Sequence, residues 1–171
     1  MSSPELMTGL GAALAIFFSA LGSSYATVYS GAYTLKAQKS SDVNFVYSFA
    51  PTIISGVLAI YGAIIAFLLY ARLGLSPSPE DGYKFFSAGL TVGLGCAASG
   101  YGIGLFMKAV VTDDSAAKSA AEATEETSLL PLHTPTILTI GGFARILITL
   151  VFLEAIGLYS LIIALFLIGK A

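Results

Sequence analysis

Apolar positions fall along this chain in four long runs separated by short charged stretches. The first covers about residues 6–33, with no charge between Glu5 and Lys36. The second covers 45–71, between Asp42 and Arg72, and the third covers 85–108, between Lys84 and the lysine that closes it, Lys108. The fourth, about 136–168, alone carries charges inside it, Arg145 and Glu154. A bilayer's hydrocarbon core needs about 20 apolar residues to be crossed by a helix. In lipid the backbone must bond to itself, so each run predicts a transmembrane helix. The first run has no basic segment ahead of it and is too long for the apolar stretch of a signal peptide, so it reads as a retained helix.

The connections differ. Residues 34–44 hold Lys36, Lys39 and Asp42; the stretch after Arg72, LGLSPSPED, is a Pro/Gly/Ser turn that ends one helix and starts the next. Residues 110–135 read as a long polar loop, rich in Asp and Glu, whose Ala- and Glu-rich part Ser115–Glu126 is compatible with a short surface helix. Solvated loop is the plainer reading of it, docking site the sharper one. The lysines and arginines divide weakly, with a lean towards cytosolic loops at 34–44 and 110–135 and lumenal termini.

The runs repeat. IYGAIIAFLL at 60–69 and LYSLIIALFL at 158–167 share five of ten positions; LGSSYATV at 21–28 matches AASGYGIG at 97–104 through Ser23/Ser99 and Tyr25/Tyr101. Two tandem helical hairpins are predicted, residues 6–73 and 84–170, each a small-residue helix followed by a bulky one. Gly89–Gly93 and Gly100–Gly104 have the G-x-x-x-G spacing that lets helix backbones approach closely, and Gly157 lies in the last span. One wall of small residues and one of large ones makes a wedge, and wedges side by side close into a ring. The same stripes serve equally well to pack the helices of one monomer.

Composition sharpens the class. The 171 residues are 56% hydrophobic and 11% charged, with a mean hydropathy of +0.86. A soluble domain carries about 25% charged residues, so most soluble enzymes are excluded. A net charge of −2 gives no basic footprint for nucleic acid. With one cysteine, Cys96, and one histidine, His133, no intrachain disulfide, cysteine metal site or hydrolytic triad can be assembled. No catalytic residue, metal ligand or cofactor site is read from the sequence, and there is no phosphate-binding G-x-x-x-x-G-K-[ST].

The chemistry concentrates on Glu154. Its helix neighbours Leu150, Val151, Gly157 and Leu158 are apolar or Gly. Arg145 lies nine residues away, about 13.5 Å along the axis and on the opposite face. An ionised carboxylate near the bilayer midplane costs roughly 3 kcal/mol or more. Desolvation favours the neutral acid. Such a group is neutral against lipid, charged where water or a cation reaches it, and able to carry a proton. The plainer reading is a protonated acid that bonds a neighbouring helix. In the repeat Glu154 aligns with Gly56, five residues before the shared Tyr61/Tyr159, leaving one ionisable site per four helices. Tyr61 is a candidate donor to Glu154 or a packing tyrosine, and Ser55 a candidate second hydrogen-bonding group.

FLEAIGLYSLIIALFL around Glu154, IYGAIIAFLL, and the glycine-rich first and third spans resemble the proteolipid c subunits of V-type proton ATPases. The resemblance covers all four spans. It implies an all-α membrane protein assembled into a ring, with Glu154 as the proton-binding residue and no ATP site on this chain. It implies as partners other copies or paralogues of the same proteolipid, a stator subunit with a membrane arginine, the central rotor subunits on the cytosolic side, and lipid. It implies an integral, multi-pass location in a vacuolar, lysosomal or other acidic endomembrane. Two features depart from the family: MKAVVTDD after the third span, where a short loop is usual, and Arg145. Sodium-type rings surround the carboxylate with Thr and Gln; the chain's one Gln is Gln38, in a loop, so protons are predicted. The rivals are a small four-helix proton-coupled transporter, whose glutamate would lie in the first span, and a structural or pore-forming tetraspan.

Overall fold

The computed structural model describes residues 3–38, 45–75, 78–124 and 140–170. They form four helices, α1 (Ser3–Gln38), α2 (Phe45–Leu73), α3 (Pro79–Thr124) and α4 (Ile140–Gly169), with no strand among the described residues. All four are long and apolar enough to cross a bilayer.

Local chemistry fixes where the helices start. Ser78 caps α3: its Oγ accepts from the Asp81 N–H at 3.3 Å and donates to Asp81 Oδ2 at 2.7 Å, with Pro79 at the first helical position. Glu5 stands in the first turn of α1 and Lys36 in its last, each matching the helix dipole. Pro51 lies inside α2 and cannot donate to the helix ladder, yet the helix continues. Beside it Thr34 of α1 donates to the Ser48 carbonyl at 2.8 Å, tying the neighbouring α2 backbone to α1.

α3 is longer than its apolar run requires. It continues without a break to Thr124, through the first half of the stretch 110–135 that the sequence assigns to a loop. Between Gly104 and Pro131 there is neither Gly nor Pro, and Ala, Lys and Glu are good helix formers, so nothing stops the helix. Residues 125–139, with His133 and the start of the fourth predicted span, lie outside the described residues.

α1 and α3 run parallel and in close contact along their length. The small positions recur every three or four residues on α1 (Gly11, Ala15, Ser19, Gly22, Ala26, Ser30), and all are buried. A Cβ added at Gly89 would run into the backbone of Gly11, and one at Gly100 into the backbone of Gly22. One on Gly93 would come 2.8 Å from the Leu14 carbonyl oxygen. Gly104 is covered by the Tyr25 ring, so its space goes to a side chain of α1. Backbones this close gain dispersion contacts that any side chain would forbid.

α2 and α4 pack against this pair and turn large apolar residues outward: Ile53, Ile60 and Phe67 on α2, and Ile148, Phe152, Tyr159 and Phe166 on α4. α1, the small-residue helix of the first hairpin, also exposes a stripe of large apolar residues, Leu10, Phe17, Leu21 and Val28. Apolar faces of this extent belong in lipid or against another protein.

The ends are tied separately. Lys36 Nζ donates to the Val111 carbonyl at 2.8 Å, and Lys108 lies 5.9 Å from the Tyr29 ring centroid. At the other end Lys84 reaches the Lys170 carbonyl at 3.5 Å and Asp81 at 3.3 Å. These charges mark two rims, with Arg145 exposed near the start of α4.

Candidate proton-binding site

Glu154 lies in the middle of α4, half-buried, on a helix that touches α2 and α3. The α4 backbone can come close there because Gly157 has no side chain. A Cβ at that position would sit 2.6 Å from Leu58 Cδ2 and 3.7 Å from both Cys96 Sγ and Ser99 Cβ. Gly95 of α3 makes the matching notch for Ser160, whose hydroxyl turns back to the Gly157 carbonyl at 2.7 Å. Glu154 therefore sits on a turn wedged between α2 and α3.

The carboxylate is met by one hydroxyl. Tyr61 of α2 donates from its Oη to Glu154 Oε1 at 2.5 Å. The bond crosses from the first hairpin to the second. No cation lies within ion-pair distance of Glu154 among the described residues. The buried thiol of Cys96 is also near the carboxylate. Arg145, at the rim, is exposed. Glu154 thus has one neutral side-chain donor and, among the described residues, no counter-charge.

Ser55 is a correction. Its hydroxyl does not reach Glu154; it donates to Thr52 O at 2.8 Å and lies 3.2 Å from Thr27 Oγ1, in the seam between α1 and α2. The cause is its place on α2: Ser55 is on the stripe facing α1, whereas Leu58 and Tyr61 face α4. Ser55 belongs to a ladder of hydroxyls that sequence reasoning passed over. Ser23 bonds the Ser55 carbonyl at 2.9 Å, and Thr34 lies 3.1 Å from Thr52 Oγ1. The spacing of Ser23, Thr27, Ser30 and Thr34 on α1 was the available signal.

Gly56, the repeat partner of Glu154, has nothing within 4 Å of an added Cβ. Among the described residues no group of His, Cys, Asp and Glu could hold a metal ion.

The sequence profile of the ATP synthase C subunit matches residues 10–69 and 86–167, one match for each hairpin. The chain belongs to the ATP synthase C subunit family. The V-type proton ATPase c' subunit of Candida glabrata is 34% identical over 94% of this chain and 85% of its own length. The V-type proton ATPase 16 kDa proteolipid, the c subunit of Nephrops norvegicus, is 31% identical over 94% of the chain and 89% of its own. The human 16 kDa proteolipid is 30% identical over 94% and 90%. Within this family the chain is of the doubled type, two copies of the matched unit in one polypeptide. The fold agrees, since α1–α2 and α3–α4 are the two units.

Proposed function

We propose that this chain is a proton-carrying rotor subunit in the membrane sector of a V-type ATPase. Copies of it, or of it and its paralogues, form a ring. Glu154 takes up a proton, travels through lipid as the neutral acid and gives the proton up where a stator subunit offers a positive side chain and water. ATP hydrolysis on peripheral subunits turns the ring. The chain itself has no catalytic residue. Its termini would face the lumen of an acidic endomembrane compartment, with residues 34–44 and the end of α3 on the cytosolic side, towards the central rotor subunits.

The observation that carries this reading is the contact between Tyr61 and Glu154. A carboxyl at mid-span with a neutral donor and no counter-charge among the described residues is not held in one protonation state by a fixed partner. A fixed salt bridge would lock it in one. The single oxygen donor from a side chain also fits protons better than sodium, which takes several oxygen ligands as hard cations do.

The test is replacement of Glu154 by Gln in a host whose own proteolipid has been deleted. ATP-dependent acidification of isolated vesicles should disappear with E154Q while the ring still assembles. Acidification at the wild-type rate would overturn the proposal.

A further inference from the structure

The two hairpins share one hydrogen bond that neither packing nor the helix ladders require. In the second hairpin the Ser99 hydroxyl of α3 donates to the Leu153 carbonyl of α4 at 2.6 Å. In the first, the Ser23 hydroxyl of α1 donates to the Ser55 carbonyl of α2 at 2.9 Å. Ser23 and Ser99 are equivalent in the repeat, and so are Ser55 and Leu153. Each bond reaches the carbonyl just before the position that holds Glu154 in one hairpin and Gly56 in the other.

We infer that Ser99 is a positioning residue for proton exchange at Glu154, fixing the register of α4 so that the carboxylate meets the Tyr61 hydroxyl. The inference rests on the reading of Glu154 as the proton carrier.

Around this turn α4 touches its neighbours mainly through glycine and aliphatic groups. Gly157 lies in a notch of Leu58, Cys96 and Ser99, and Gly102 of α3 sits below the Leu153 side chain. Contacts between glycine and aliphatic groups resist separation but do little against sliding along the axis or rotation about it. A directional bond to a carbonyl does resist both, and in a setting that excludes water it is stronger than at a surface. The Ser99 bond is one residue from the carboxylate, so the position of Glu154 follows from it directly. The Tyr61 ring is held on α2, so a small displacement of α4 would lengthen the bond to Oε1. Tyr61 of α2 meets Glu154, the Cys96 thiol of α3 lies in the notch that receives Gly157, α1 makes no contact with α4, and among the described residues no charged side chain pairs with the carboxylate.

Ser23 supplies the comparison. Its bond has the same geometry but precedes a glycine, so its loss should affect assembly alone. The Tyr61 hydroxyl donates to the ionised carboxylate and favours it. Weakening that contact by way of Ser99 should leave more Glu154 protonated at a given pH.

The readout is reaction of Glu154 with dicyclohexylcarbodiimide, which modifies the protonated acid, followed against pH in purified rings. S99A should move the midpoint of labelling up by about 0.5 pH unit, roughly a threefold change in the protonated fraction above the midpoint. S99T, which keeps a hydroxyl, should restore it, and S23A should leave it in place. Because Ser99 acts through Tyr61, S99A should add nothing in a Y61F background. A wild-type midpoint in S99A, or a shift that persists undiminished in Y61F, would overturn the inference. Should S99A rings not accumulate, S99C, whose thiol is a weak donor, is read by the same criteria. Absence of labelling in the wild-type ring would instead sink the carrier reading itself.

Discussion

Tyr61 reaches Glu154 from the other hairpin, so the proposed proton site exists only when both hairpins are packed. Y61F keeps the ring and removes the donor. A hydrogen bond to a charged group contributes about 1.5–3 kcal/mol. Y61F is therefore expected to slow ATP-driven acidification by about tenfold without abolishing it, with unchanged ring yield. Sodium gives a second check. With so few side-chain oxygens at the carboxylate, carbodiimide labelling of Glu154 at constant pH should proceed at the same rate with and without sodium; protection by sodium would contradict the proton assignment. Glu154 and Tyr61 were visible in the sequence because an acid in an apolar run has few explanations and the tyrosine recurs in the repeat. Ser55 was misplaced for a geometric reason. It is near Glu154 in repeat register, but which way a helical side chain points depends on how α2 is rotated against α1, and the apolar pattern of α2 is too uniform to reveal that rotation. Ser99 was visible as half of a repeated pair, yet its carbonyl partner depends on the axial offset between α3 and α4.

The helices depend on contacts that single atoms can break. Gly100 abuts the backbone of Gly22. G100V must push α1 and α3 apart and is expected to cost about 3 kcal/mol or more, seen as loss of assembled ring from the membrane. Gly56 faces open space within the chain, so G56A should be accepted and should gain up to about 1 kcal/mol of helix preference, read as an unchanged or raised thermal midpoint in detergent. The contrast between two glycines of the same apolar helix bundle separates close approach from mere smallness. The four spans were legible because lipid allows few alternatives to helix. The length of α3 was not, because acidic and polar residues suggest solvent, and solvent suggests loop. Solvent exposure does not by itself end a helix, and beyond Gly104 α3 meets no Gly or Pro before its described end at Thr124.

Among the described residues Lys36 and Lys108 mark one rim and Lys84 and Lys170 the other, and α3 projects beyond the first. If the extension faces the cytosol, a cysteine introduced at Lys118 should react with a membrane-impermeant thiol reagent from the cytosolic side of sealed vesicles. One at Lys84 should react only after they are opened. The native Cys96 is buried and should stay silent in both.

The bare α2 position at Gly56 has an arithmetical consequence for such a motor. With Glu154 as the proposed carrier, each subunit would occupy the girth of two hairpins but ferry a single charge per lap. For a given mechanical work per lap, concentrating it on half as many passengers doubles the push behind each. The glycine thus acts as a low gear, trading flux for the steepness of the gradient that can be climbed.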